Sequence, residues 1–180
     1  RGQLAVSASM TIAVYLLPRL FADFRLQHPR LDLQALTRNS SAVLELLKQG
    51  QVEVAMVETP VPANMPGVEQ QTFHTDEVVL AAPPDHPLTR VASVNPTDLQ
   101  GLHVVTREPG SGTRRVSELA LANHGVELHA SVEADEIEAT KEAILQGLGP
   151  GFISRLGIQR ELESGTLSII PIEGIEMHRP

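Results

Sequence analysis

Apolar and polar positions change rhythm along this chain, and the rhythm lays out its elements. The run Leu4-Ala5-Val6-Ser7-Ala8 reads as a buried strand, and Ser9 or Thr11 after it can cap a helix. Leu17, Leu20, Phe21 and Phe24 recur at helical spacing, Pro18 suits the first turn, and Pro29 ends the element. Residues 31–36 alternate apolar and polar, which predicts a strand. Asn39-Ser40-Ser41 opens a second helix carrying Val43, Leu44, Leu46 and Leu47, stopped by Gly50, and 52–57 is another strand. This β-α-β-α-β order is the signature of a parallel sheet covered by helices. A turn-rich loop at 60–67 follows, then two expected strands at 68–73 and 77–82.

A second run has the same architecture without a sequence repeat. Strands are expected at 102–105, 127–133 and 152–154, with helices at 113–123, 136–146 and 155–163. The segment Pro83-Pro84-Asp85-His86-Pro87 breaks regular structure and is the expected crossover between lobes, while 165–170 is a strand that could return to the first lobe. The chain is thus an α/β protein with one lobe at 1–83 plus 164–180 and a second, inserted lobe at 84–163. Two lobes joined by two crossovers would enclose a cleft. Ligands of open parallel sheets sit beyond the carboxyl ends of the strands, which makes Ser9-Met10-Thr11, Asn39-Ser40-Ser41, 106–114 and Ser154 the candidate walls.

The richest of these is Thr106-Arg107-Glu108-Pro109-Gly110-Ser111-Gly112-Thr113-Arg114. Its glycines let backbone approach a ligand closely. Ser111 and Thr113 can cap the following helix, whose first N–H groups have no partner inside it. With Arg107 and Arg114 adding charge, the segment suits a small anion. An ordinary turn with a capped helix has the same residues. The phosphate-loop and dinucleotide patterns do not fit, because the required Gly-Lys-Ser/Thr and third glycine are missing.

Composition narrows the partners. The 180 residues suffice for one sizeable core or two small lobes, and with aromatic residues at 3% that core must be aliphatic. A net charge of −8 makes this stretch a poor nucleic-acid binder, so any DNA contact is expected outside it. No cysteine is present, and no two of the seven histidines are spaced as His-x3-His, so structural or surface roles are expected for them and no metal or other cofactor is implied. No apolar run reaches membrane-spanning length. Asp135 and Glu138 stand at capping-box spacing within an acidic stretch. The Leu16, Leu20, Phe24 stripe is most simply core, although such a helix can also pair between protomers. No Ser nucleophile has an identifiable base, and no acid–base pair emerges, so enzymatic activity is not expected.

The ordered landmarks resemble the effector-binding domain of LysR-type transcriptional regulators. They begin with Leu4-Ala5-Val6-Ser7-Ala8-Ser9, Tyr15-Leu16-Leu17-Pro18-Arg19-Leu20 and His28-Pro29. They continue through Asn39-Ser40, Val54-Ala55-Met56-Val57-Glu58, Asp76-Glu77-Val78-Val79-Leu80 and His86-Pro87-Leu88. Arg107 to Arg114, Glu138-Ala139, Gly147, Phe152-Ile153-Ser154 and Glu161-Leu162 complete the set, which covers nearly the whole chain. The Gly-Ser-Gly-Thr-Arg form is similar to the sulfur-assimilation and Calvin-cycle regulator subgroup.

The resemblance implies the type 2 periplasmic-binding-protein fold, with a small acidic or zwitterionic effector between two Rossmann-like lobes. It implies a cytoplasmic homodimer, tetrameric at full length, reaching DNA through a winged helix-turn-helix upstream. Arg1-Gly2-Gln3 reads as the cut end of such a longer chain, and the family continues with a further strand and helix after the position of Arg179. Effector contacts carried over by position are Ser9, Thr11, Asn39, Ser40, Thr106, Arg107, Gly110, Ser111, Gly112, Thr113 and Ser154, with Met10 beside them. Two departures stand out. Asp135-Glu136 replaces a common Ser or Asn, and a Glu136 facing the site would repel an anion. Pro150 replaces an apolar residue, with only a local effect expected at a strand's first position. A transport-linked solute-binding protein of the same architecture is the alternative reading; a signal peptide on the full-length chain would favour it.

Overall fold

The computed structural model describes residues 2–61 and 65–180, so Pro62, Ala63 and Asn64 of the expected loop lie outside the described residues. The first repeat forms as its periodicity dictates. Strands β1 (Gly2–Ala8), β2 (Leu31–Thr37) and β3 (Val54–Met56) make a parallel sheet in the order β2-β1-β3. Helices α1 (Met10–Tyr15), α2 (Leu17–Gln27) and α3 (Ser40–Lys48) connect them. Val6, Ala8, Ile12 and Leu17 form the core of this unit, with Leu4, Ala13, Leu16, Phe21 and Met56 packed against it. Phe24 is half-buried and Leu20 is 38% exposed, so the expected apolar stripe is only partly core.

The second repeat builds a mixed sheet. Strands β5 (His103–Arg107), β6 (His129–Ala134) and β7 (Gly151–Ser154) are parallel, joined by α4 (Gly112–Ala122) and α5 (Ile137–Leu145). Strand β4 (Asp76–Ala82) runs antiparallel to β7, and β8 (Ser168–Ile169) and β9 (Met177–Arg179) are antiparallel to β4. A 3₁₀ turn and α6 (Gln159–Ser164) follow β7. Val78, Leu80, Leu99, Leu121, Phe152 and Ile170 are among the residues at the centre of the core, which is aliphatic apart from one phenylalanine.

This pairing moves the expected partition. The sequence pattern places β4 and 164–180 with the first lobe. Instead, the compact units are residues up to His74 together with Pro180, and Thr75–Arg179. The ladder of β4 with β7, β8 and β9 is the reason, since strands sharing hydrogen bonds share a core. The Pro-rich segment at 83–87 leads into a 3₁₀ turn at Pro87–Arg90 rather than marking the division. The strand expected at 68–73 does not form: only Val68 and Phe73 at its ends are apolar, and no neighbouring strand pairs with it among the described residues.

Two local features carry consequences. His86 caps the 3₁₀ turn, its Nδ1 accepting from Leu88 N at 3.2 Å. Burial lowers its pKa against the opposing pull of Asp85. Because the folded chain binds this proton more weakly than the unfolded one, its stabilising share is full above about pH 6.5. That share is lost as pH falls through the lower folded value. A histidine NMR titration is expected to place His86 below its ordinary range, and His86→Asn is expected to flatten stability against pH there. Around Pro150, the backbone is tight: Pro150 O accepts from Val105 N at 2.9 Å, and a Cβ on Gly149 (φ 143°) would lie 2.9 Å from His103 O. Gly149→Ala is therefore expected to destabilise the fold by about 1–3 kcal/mol, read from urea unfolding.

Candidate functional site

In the first unit, parallel pairing brings the two predicted segments to one edge. Ala8 pairs with Thr37 at the end of the β1–β2 ladder, so Ser9-Met10-Thr11 and Asn39-Ser40 emerge side by side at the carboxyl ends of adjacent strands. Ser9 N donates to Met56 O at 2.9 Å, tying in the end of β3. Asn39 is the N-cap of α3, its Oδ1 accepting from Ala42 N at 3.0 Å, as the sequence predicts. Ser9 occupies the N-cap position of α1 without a side-chain cap bond. The hydroxyls of Ser9 and Ser40, in residues each 1% exposed, have no hydrogen-bond partner. Buried polar atoms are almost always paired, so two such hydroxyls side by side at a sheet's carboxyl edge require a reason. Thr11 is buried beside them and Met10 is half-buried.

In the second unit, the loop from β5 to α4 turns at Gly110 (φ 92°) as its glycines predict. Thr106 is half-buried at the strand end, and Ser111, Gly112 and Thr113 are buried at the helix start. Ser111 stands at the N-cap without a side-chain cap bond. The expected free cationic charge is absent. Buried Arg107 donates from Nε to Glu108 Oε2 at 2.9 Å and from Nη2 to the Asp135 carbonyl at 3.1 Å. Arg114 bonds Glu118 Oε1 and Glu133 Oε2, both at 2.7 Å, and the hydrogen bond to Glu118 is the largest of the effects that raise its pKa. Sequence proximity placed these guanidiniums correctly but could not show that carboxylates neutralise them.

The expected Asp135–Glu138 capping box does not form, because Glu136 is the N-cap of α5 and makes no side-chain cap bond. Glu136 is exposed. Glu138 instead pairs with Lys141 at 2.9 Å, and Lys141 also reaches Glu161 at 3.1 Å. Burial alone would lower the Lys141 pKa, but these two carboxylates outweigh it and hold it above the ordinary value.

Ser154, at the end of β7, is fully buried and joins a network the sequence did not reveal. Its Oγ donates to Asp76 Oδ1 at 2.8 Å and accepts from Leu156 N at 3.2 Å. Asp76 Oδ2 accepts from Arg179 Nε at 2.9 Å and Nη2 at 2.6 Å. Arg179 Nη1 donates to Thr113 Oγ1 at 2.9 Å. Two predicted residues, Ser154 and Thr113, are thereby linked through Asp76 and Arg179. The latter two are 103 positions apart, and no local signal announces them. Among the described residues, no group of three or more His, Cys, Asp or Glu is arranged to hold a metal ion, and no helix is long and apolar enough to cross a membrane.

The sequence profile of the LysR substrate binding domain family matches residues 1–180. A probable RuBisCO transcriptional regulator from Cyanidioschyzon merolae is 32% identical, over 99% of this chain and 60% of that protein. The HTH-type transcriptional regulator CysL from Bacillus subtilis is 31% identical, over 99% of this chain and 59% of that protein. The chain thus spans about 60% of the length of these relatives. Among solved structures, the regulatory domain of Synechocystis PCC6803 CcmR in complex with 2-PG superposes with a TM-score of 0.89 at 26% identity, covering 99% of this chain and 85% of that one. The cofactor-binding domain of the Cbl transcriptional regulator gives 0.84 at 21% identity, covering 99% and 77%.

Proposed function

Because the chain belongs to the LysR substrate-binding domain family, with its type 2 periplasmic-binding-protein-like fold, we propose that it is the effector-sensing part of a LysR-type transcriptional regulator and takes a small anionic metabolite. In the whole protein, an upstream domain would contact DNA, and oligomerisation would carry the effector's signal to it. A ligand shifts such an equilibrium only by its differential affinity for the two states.

One observation carries this reading: the unpartnered, buried hydroxyls of Ser9 and Ser40 at the carboxyl edge of the first sheet. A bound oxyanion gives both an acceptor, whereas a site without a ligand leaves two desolvated donors unpaid. The proposed contacts are Ser9, Met10, Thr11, Asn39 and Ser40 from the first unit. From the second they are Thr106, Arg107, Gly110, Ser111, Gly112 and Thr113. Ser154 is set aside as a direct donor, since its single hydroxyl hydrogen goes to Asp76, whereas Arg107 stays among the proposed contacts because its bonds to Glu108 and Asp135 O use only Nε and Nη2. The 2-PG held by the CcmR regulatory domain is an apt first probe.

A thermal-shift screen of small phosphorylated and carboxylic acids, 2-PG included, tests this. A ligand at a hundred times its Kd is expected to raise the melting temperature by about 5–10 °C. Ser9→Ala removes a hydroxyl with no protein partner, so stability should change by less than about 1 kcal/mol while affinity falls about tenfold. A screen in which no acid shifts the melting point overturns the reading.

A further inference from the structure

We propose that Arg179 is a positioning residue that fixes the Thr113 hydroxyl as a hydrogen-bond donor, and so makes this site select ligands that present an acceptor oxygen there. The proposal rests on the effector-sensing reading and goes beyond it by naming a residue and the polarity it imposes. Every hydrogen bond in the network has one direction. Asp76 accepts from Ser154 on one oxygen and from Arg179 twice on the other. That leaves the guanidinium oriented with Nη1 on Thr113 Oγ1. A guanidinium has no acceptor and cannot lose its proton, so Thr113 Oγ1 can only accept on that side. Its own hydrogen is thereby turned away from Arg179.

The hydroxyl belongs to a residue only 2% exposed, in the first turn of α4. Ser117, one turn on, bonds backbone carbonyls and leaves the Thr113 side chain untouched. A hydroxyl normally rotates between donating and accepting, and a ligand could then present either an oxygen or an ammonium. Here the guanidinium already occupies one of the two lone pairs of Thr113 Oγ1 and turns the hydroxyl hydrogen away from itself, which favours an acceptor oxygen over an N–H or ammonium at this point. The Arg179–Asp76 pair supplies this orientation without offering a net charge of its own.

Calorimetric titration with 2-PG and with inorganic phosphate, on a double-mutant cycle, tests the assignment. Arg179→Lys keeps the charge but gives up the planar fork. It is expected to weaken 2-PG binding about tenfold in the parent chain and to add nothing once Thr113→Val has removed the hydroxyl. Thr113→Ser, which keeps the hydroxyl, should stay within about twofold of the parent. An equal loss from Arg179→Lys in both backgrounds would show a purely structural role and overturn the proposal, as would no loss in either. If Arg179→Lys does not fold, the parent chain carries the test through the guanidinium nitrogen resonances of Arg179. A shift on adding 2-PG that Thr113→Val abolishes supports the proposal, and an unmoved signal in a chain that binds 2-PG overturns it. A parent chain that binds neither probe overturns the anionic-effector reading and this assignment together, which separates that failure from the others.

Discussion

Replacing Asp76 with alanine is expected to destabilise the fold by about 3–5 kcal/mol, the effect of leaving a buried charge unpaired. Its partner Arg179 has a side chain 1% exposed, and three hydrogen bonds from Arg179 and Ser154 end on the one carboxylate. The substitution strands a guanidinium and a serine hydroxyl together. Urea unfolding measures it directly, and the slope should hold while the midpoint drops. A double replacement, Asp76→Leu with Arg179→Met, is expected to recover most of the loss, because well-packed apolar side chains often match a buried ion pair. A loss of under 1 kcal/mol for Asp76→Ala alone would mean that the pair is not held dry in the folded chain.

Phe152→Ala is expected to cost about 3–5 kcal/mol through lost transfer energy and the cavity left behind. Phe152 is 3% exposed and sits in a core cluster with Val78, Leu80, Leu121 and Ile170. It pairs with Leu80 in the β4–β7 ladder, two residues before Ser154. Phe152→Leu, which keeps most of the volume, should cost far less. Both can be read from thermal or urea unfolding. A loosened β7 would also weaken the Ser154 bond to Asp76, so the alanine variant is expected to bind effector less tightly even where it stays folded.

The elements of the two repeats were legible because each is a local property. Apolar residues three and four apart mark a helix, alternation marks a strand, and Asn39 or Pro18 marks where a helix can start. The misreadings share a cause. A strand is expected at residues 68–73, yet a strand needs a partner, and none pairs there among the described residues. The lobe boundary moved from residue 83 to His74 because β4 hydrogen-bonds to β7, β8 and β9, a choice no window of sequence contains.

The site divides in the same way. The chain's own order of residues determined that hydroxyls and glycines would stand at strand ends before helices, since turn chemistry and capping act over a few positions. Tertiary structure alone decided which of those groups stay available. It added Glu133 and the Asp135 carbonyl to the local Glu118 and Glu108 partners of the two arginines of the loop, left Ser9 and Ser40 unpartnered, and joined Thr113 to Ser154 through Asp76 and Arg179. Charge and hydrogen-bond pairing depend on distance in space and on exclusion of water. Neither exists until strands far apart in the chain have been laid side by side.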